Sequence, residues 1–86
     1  MKLKIFAIRD NATDMYGTPM FPVTTGQAIR SFSDEVNRQA DDNMIYKHPN
    51  DYDLYELGTY NGNTGTFETD TPARIATGNQ VVLKPQ

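Results

Sequence analysis

Eighty-six residues, 37% hydrophobic and 22% charged with a net charge of −3, leave room for one hydrophobic core and not for two. The absence of cysteine excludes disulfides, zinc ribbons, thiol catalysis and iron–sulfur clusters. An isoelectric point near 4.8 argues against a strong electrostatic footprint on duplex DNA, while leaving room for a local basic patch.

A single domain over residues 1–86 is therefore expected. A chain of this size buries only about 60–65% of its unfolded surface, so homo-oligomer formation is an expected source of extra burial. The apolar stretch Leu3-Lys4-Ile5-Phe6-Ala7-Ile8 is too short for a signal-peptide core or a membrane span. A cytoplasmic setting with no membrane partner is expected.

In chain order, Lys2 to Arg9 reads as a strand, rich in β-branched and aromatic residues and closed by Asp10-Asn11. Alternation puts Leu3, Ile5 and Ala7 on one face and Lys2, Lys4, Phe6 and Ile8 on the other. Both faces carry apolar side chains, which predicts a central or partly covered strand. Met20-Phe21-Pro22-Val23 sits between turn formers, and its proline restricts it to an edge strand or an extended connector. A helix is predicted from about Thr25 to Gln39. Thr24 is its N-cap and Gln27 reaches back from the third position. Ile29, Phe32 and Val36, with Ala28 and Ala40 alongside, form its apolar stripe.

Met44-Ile45-Tyr46 is a candidate short strand before the turn His48-Pro49-Asn50-Asp51. Tyr52 to Tyr60 and Thr66 to Thr69 then form a predicted hairpin about Asn61-Gly62, a pair suited to the positive φ of a tight turn. Two registers are open: a two-residue turn pairs Leu57 with Thr66, and a four-residue loop sets Phe67 opposite Gly58. Asp70-Thr71-Pro72 is expected to break the chain. Short strands follow at Arg74-Ile75-Ala76 and from Gln80 to Leu83. The fold class is α+β: one amphipathic helix packed on a small, mostly antiparallel β-sheet.

No sequence motif for catalysis is present. His48 precedes a proline in a turn and has no evident nucleophile to serve, so a local structural role is the better reading. The pairs Asp41/Asp42, Asp51/Asp53 and Asp10/Asp14 invite a cation, but turn acids commonly bond their own backbone. The position eleven after Asp10 is Phe21, not the Glu of a calcium loop. Catalytic residues, metal sites and cofactors are therefore all expected to be absent. Gly62 and Gly65 serve turn geometry rather than phosphate.

One constellation carries function. Single-stranded nucleic acid is held by bases stacked on aromatic rings beside cations that track phosphates. Lys2, Lys4 and Phe6 share a strand face, and a hairpin with Tyr55, Tyr60 and Phe67 can lie beside it. The candidate nucleic-acid-binding residues are Lys2, Lys4, Phe6, Arg9, Arg30 and Tyr55. The ordinary alternative is that the lysines guard a strand while the rings fill the core.

Several segments in fixed order resemble the small nonstructural protein of gokushoviruses, single-stranded-DNA phages of the Microviridae. They are Lys2-Leu3-Lys4-Ile5-Phe6-Ala7-Ile8-Arg9-Asp10, then Tyr16 with Pro19-Met20-Phe21, then Gly26-Gln27-Ala28-Ile29-Arg30-Ser31-Phe32-Ser33-Asp34. The most distinctive is His48-Pro49-Asn50-Asp51-Tyr52-Asp53-Leu54-Tyr55-Glu56-Leu57-Gly58, followed by Asn61, Thr64-Gly65, Phe67, Pro72 and Gly78. The resemblance implies a protein made in the host bacterial cytoplasm and not built into the virion. It implies a role around single-stranded genome synthesis and packaging, with single-stranded DNA or a viral replication or assembly protein as partner. A protein–protein adaptor contacting the viral replication initiator, the procapsid or a host factor is the alternative.

Overall fold

The computed structural model describes residues 1–83. Its frame is an antiparallel four-stranded sheet in the order β2-β1-β3-β4, formed by β1 (Lys2–Asp10), β2 (Met15–Tyr16), β3 (Tyr52–Asn61) and β4 (Thr66–Thr77). The helices are α1 (Thr25–Asn37), α2 (Met44–Lys47) and α3 (Gly78–Val81), with a 3-10 turn over Pro49–Asp51. This is the expected α+β class.

β1 is apolar on both faces and is paired along both edges: Phe6 and Ile8 meet the helix side, while Ile5 and Ala7 are buried on the other. β3 runs along its whole length, from Lys2↔Asn61 to Asp10↔Tyr52. On the other side the chain doubles back at Asp14, which takes a positive φ of 59°. It then pairs Tyr16 with Arg9 and bridges Met20 to Phe6. Pro22 contributes only its carbonyl, which accepts from the Lys4 amide at 3.0 Å. That is the use an edge allows a proline.

Thr24 caps α1, its hydroxyl accepting from the Gln27 amide at 3.1 Å. The Gln27 side chain accepts from the Val23 amide at 3.0 Å rather than from Thr24, so the return bond lands one residue earlier than predicted. The helix ends at Asn37, short of Gln39. Beyond it the buried Asn43 donates its amide to the carbonyls of Glu35 and Arg38, each at 2.9 Å, filling acceptors that a helix end leaves open.

The core lies between α1 and one side of the sheet. Phe6, Ala28, Phe32, Val36, Leu54 and Ala76 form it, with Ile8, Met20, Ile45, Ile75 and Val81 packed around them. Each large side chain here contributes about 1.5–3 kcal/mol by leaving water. The Asn37 amide donates to the Val81 carbonyl at 2.9 Å and its oxygen accepts from the Leu83 amide at 2.8 Å, fastening the last described residues to α1.

Four expectations need correction. Met44-Ile45-Tyr46 is helical, because Asn43 accepts from the Ile45 amide at 3.1 Å and starts a turn of helix. Gln80 to Leu83 is not a strand. Thr77 and Gln80 form a reciprocal capping box that opens α3. Asp70-Thr71-Pro72 does not end the strand: Gly58 pairs Thr69 while Glu56 pairs Ala73, so those three residues bulge inside a continuous β4. The hairpin loop spans Gly62 to Gly65, which sets Phe67 opposite Tyr60 and Thr69 opposite Gly58. Neither proposed register holds, although the loop does have four residues.

Candidate nucleic-acid interface

Register and alternation assign each strand residue to a side, since directly paired residues share a face. Phe6, Ile8, Leu54 and Ala76 face the helices. Leu3, Ile5, Ala7 and Arg9 face the other way, together with Asp53, Tyr55, Gly58, Tyr60, Phe67, Thr69, Arg74 and Tyr16. Residues from α1, α2 and α3 all pack into the one core cluster. The second side of the sheet is helix-free among the described residues.

The predicted binding residues divide between these surfaces. Phe6 is 0% exposed at the centre of the core and has no free face for a base. Its place in the stacking set is corrected: alternation aligned it with the lysines, but α1 covers that side of the strand at Phe6. Lys2 and Lys4 stand on the helix side, 3.9 Å from Glu68 and 3.7 Å from Glu56. Exposed pairs of this kind add at most about 1 kcal/mol, but they neutralise the lysines locally. Arg30 is exposed on α1. The six residues do not form one patch.

Arg9 and Tyr55 lie on the helix-free side. The Arg9 guanidinium donates to Asn11 and, at 2.9 Å, to Asp14, and lies 5.6 Å over the Tyr16 ring. It ties the β1–β2 turn to the sheet. Tyr16 and Tyr55 meet edge to face at 5.5 Å. Arg74, which pairs with Tyr55, is more loosely held, with one nitrogen 3.8 Å from the buried Asp53. Asp53 is fixed in turn by the Asn11 amide at 3.0 Å.

A second group of rings crosses the same side near the hairpin loop. Phe21, Tyr60 and Phe67 surround Leu3, with centroids 6.3 Å apart for Phe21–Tyr60 and Phe21–Phe67 and 4.9 Å for Tyr60–Phe67. Phe67 is 60% exposed and Phe21 41%. Ala7 is buried in the row of Tyr55, and the buried Ile5, opposite Gly58, lies between the two ring groups. The row of Leu3 and that of Ala7 stand about 13 Å apart along β1.

Tyr60 and Phe67 were legible as hairpin rings. Tyr16, Phe21 and Arg74 were missed as members of the site. Tyr16 and Phe21 belong to the folded-back edge, whose register no local signal sets. Arg74 reaches Tyr55 only because β4 passes through its own bulge.

A cleft of about 330 Å³ opens elsewhere, between the β1–β2 turn and α2, lined in part by Asp10, Met15, Ile45 and Tyr52. Burial and the nearby Asp10 and Asp51 carboxylates raise the Tyr52 hydroxyl above its ordinary pKa. His48 is exposed, with its carbonyl accepting from the Asp51 amide. Among the described residues no group of three His, Asp or Glu side chains is placed to hold a metal ion, and no helix is long and apolar enough to cross a membrane.

Comparison with curated proteins and with solved structures returns no match. A family model described as "Phage ORF5 protein" matches residues 3–81, which takes in β1 from its second residue, β2, β3, β4 and helices α1, α2 and α3. The chain belongs to the Phage ORF5 family and is a phage protein.

Proposed function

We propose that this phage protein is a nonenzymatic accessory factor that binds single-stranded DNA on the helix-free side of its sheet. The observation that carries the reading is the run of partly exposed rings beside Arg74 on a face that no described helix covers. Stacking contributes about 1–3 kcal/mol per base, so a few rings outweigh a net charge of −3. The resemblance to gokushovirus nonstructural proteins supports the setting: the bacterial cytoplasm, during genome synthesis and packaging, outside the virion. Labelled single-stranded DNA followed by fluorescence anisotropy at low and moderate salt tests it. Phosphate contacts predict affinity that falls as salt rises. No binding at low salt would remove the DNA role.

A second reading has its own observation. Met15 and Met44 are 64% and 50% exposed, and Met15 lines the cleft beside α2. Exposed methionine suits an adaptable protein interface. A partner recovered from infected cells after nuclease treatment, and lost on Met15→Lys, would favour an adaptor acting on a replication or assembly protein.

A further inference from the structure

The ring group at the hairpin end is more than a sticky surface. Leu3, Phe21, Tyr60, Gly65 and Phe67 line a hollow of about 440 Å³. Phe21 stands nearly upright to both neighbours, with interplanar angles of 74° to Tyr60 and 67° to Phe67, while Tyr60 and Phe67 tilt at 50° to each other. No charged side chain lines the hollow. The Gly65 amide is already used, donating to the Asn61 carbonyl at 2.8 Å. An occupant would meet ring faces and edges, with the Tyr60 hydroxyl as the one polar side-chain group among the lining residues.

The charge on this side of the sheet, with Arg74 in the row of Ala7 and about 13 Å from the row of the hollow, narrows the choice. Of the strand carboxylates that have a register partner, Asp10, Glu56 and Glu68 stand on the helix side. Asp53 alone shares the ring-bearing side, and it is buried against Asn11. Arg74 is on that side too, with its side chain 60% exposed and a single long contact to Asp53. A flat apolar body on an anionic chain matches both features. We infer that the Phe21–Tyr60–Phe67 hollow takes one unpaired nucleobase, selected by stacking area rather than by its hydrogen-bonding edge. A base within a duplex has both faces already stacked and does not enter. This inference rests on the single-stranded DNA reading.

The test uses the full chain and a short oligothymidine carrying one 2-aminopurine, whose fluorescence is quenched on stacking. The wild-type protein quenches the probe, and binds this purine-bearing strand more tightly than plain oligothymidine. Phe67→Ala and Phe21→Ala each lose the quench and weaken binding about 5- to 150-fold. Phe67 is 60% exposed, so Phe67→Ala keeps a melting curve close to that of the wild type; Phe21 is 41% exposed, so Phe21→Ala is compared at a temperature well below its own melting transition. Phe67→Leu is the milder second variant, expected to lose the quench as well. Binding that is equally tight in all variants, with no quench, overturns the pocket while leaving DNA binding through Tyr16, Tyr55 and Arg74 intact. No binding of any strand at low salt overturns the functional reading and the pocket together. If Phe67→Ala instead converts a sedimenting dimer to a monomer and leaves the quench unchanged, the hollow is a contact between copies and the inference fails.

Discussion

Gly58 offers the sharpest test of the fold, because its surroundings are backbone rather than side chain. A Cβ added there would lie 2.1 Å from the Glu68 carbonyl oxygen and 2.8 Å from the Thr69 Cα, and the residue already has a φ of 153°. Neither atom can rotate away. The clash costs about 1–3 kcal/mol by analogy with overpacked cores, and holding alanine at that φ costs a further 1–3 kcal/mol or so. Gly58→Ala should therefore lose about 2–6 kcal/mol, out of a total of roughly 4–13 kcal/mol for a chain of this length. At about 4–8 °C per kcal/mol, the melting temperature should fall by about 10 °C or more. Circular dichroism during heating and urea titration measures both. Gly26→Ala is the control: its Cβ meets only the Thr24 hydroxyl, at 3.9 Å, and an alanine in a helix gains up to about 1 kcal/mol. A Gly58→Ala protein that melts within about 2 °C of wild type would refute the close strand crossing at the bulge.

Phe6→Ala should destabilise by about 3–5 kcal/mol in urea titration, since a fully buried ring leaves a cavity. Asn43→Ala removes three hydrogen bonds that join the end of α1 to α2; a loss of about 2–4 kcal/mol is expected in the same assay. Glu35 is held below the ordinary carboxylate pKa, chiefly by its hydrogen bond from Arg38. Its contribution is therefore present above the unfolded-state value and lost as pH falls through the folded-state value. Melting temperature measured from neutral to acid pH should fall less steeply in Glu35→Gln than in wild type, with the difference confined to the acid end.

Local chemistry made much of the fold legible. The Thr24 cap, the spacing of Ala28, Phe32 and Val36, and the two-faced apolar character of β1 each have a cause within a few residues. The misreadings share a different origin. An apolar run as short as Met44 to Tyr46 has no period to read, and its helix depends on Asn43 bonding back to α1. Pro72 was read as a stop because proline gives no amide to a ladder, yet β4 carries it in a bulge, where that amide is not needed. From Gln80 onward the β-branched pair Val81-Val82 suits a strand, but the capping box in Thr77-Gly78-Asn79-Gln80 starts a helix instead. The site was half legible. Rings and cations could be named from the sequence, but their side of the sheet depends on register, and the position of α1 decides which side is covered.

The pairing of β1 with β3 has a consequence for how the chain is made. Lys2 meets Asn61, so β1 cannot complete its long ladder until the chain has emerged as far as Asn61. Until then Ile5, Phe6 and Ala7 have only the short folded-back edge for company, and α1 has no platform for Phe32. Such distant pairing slows folding and leaves the nascent chain open to association with its neighbours. A host producing this protein in quantity would do so under a chaperone load set by the delay before Tyr52 arrives.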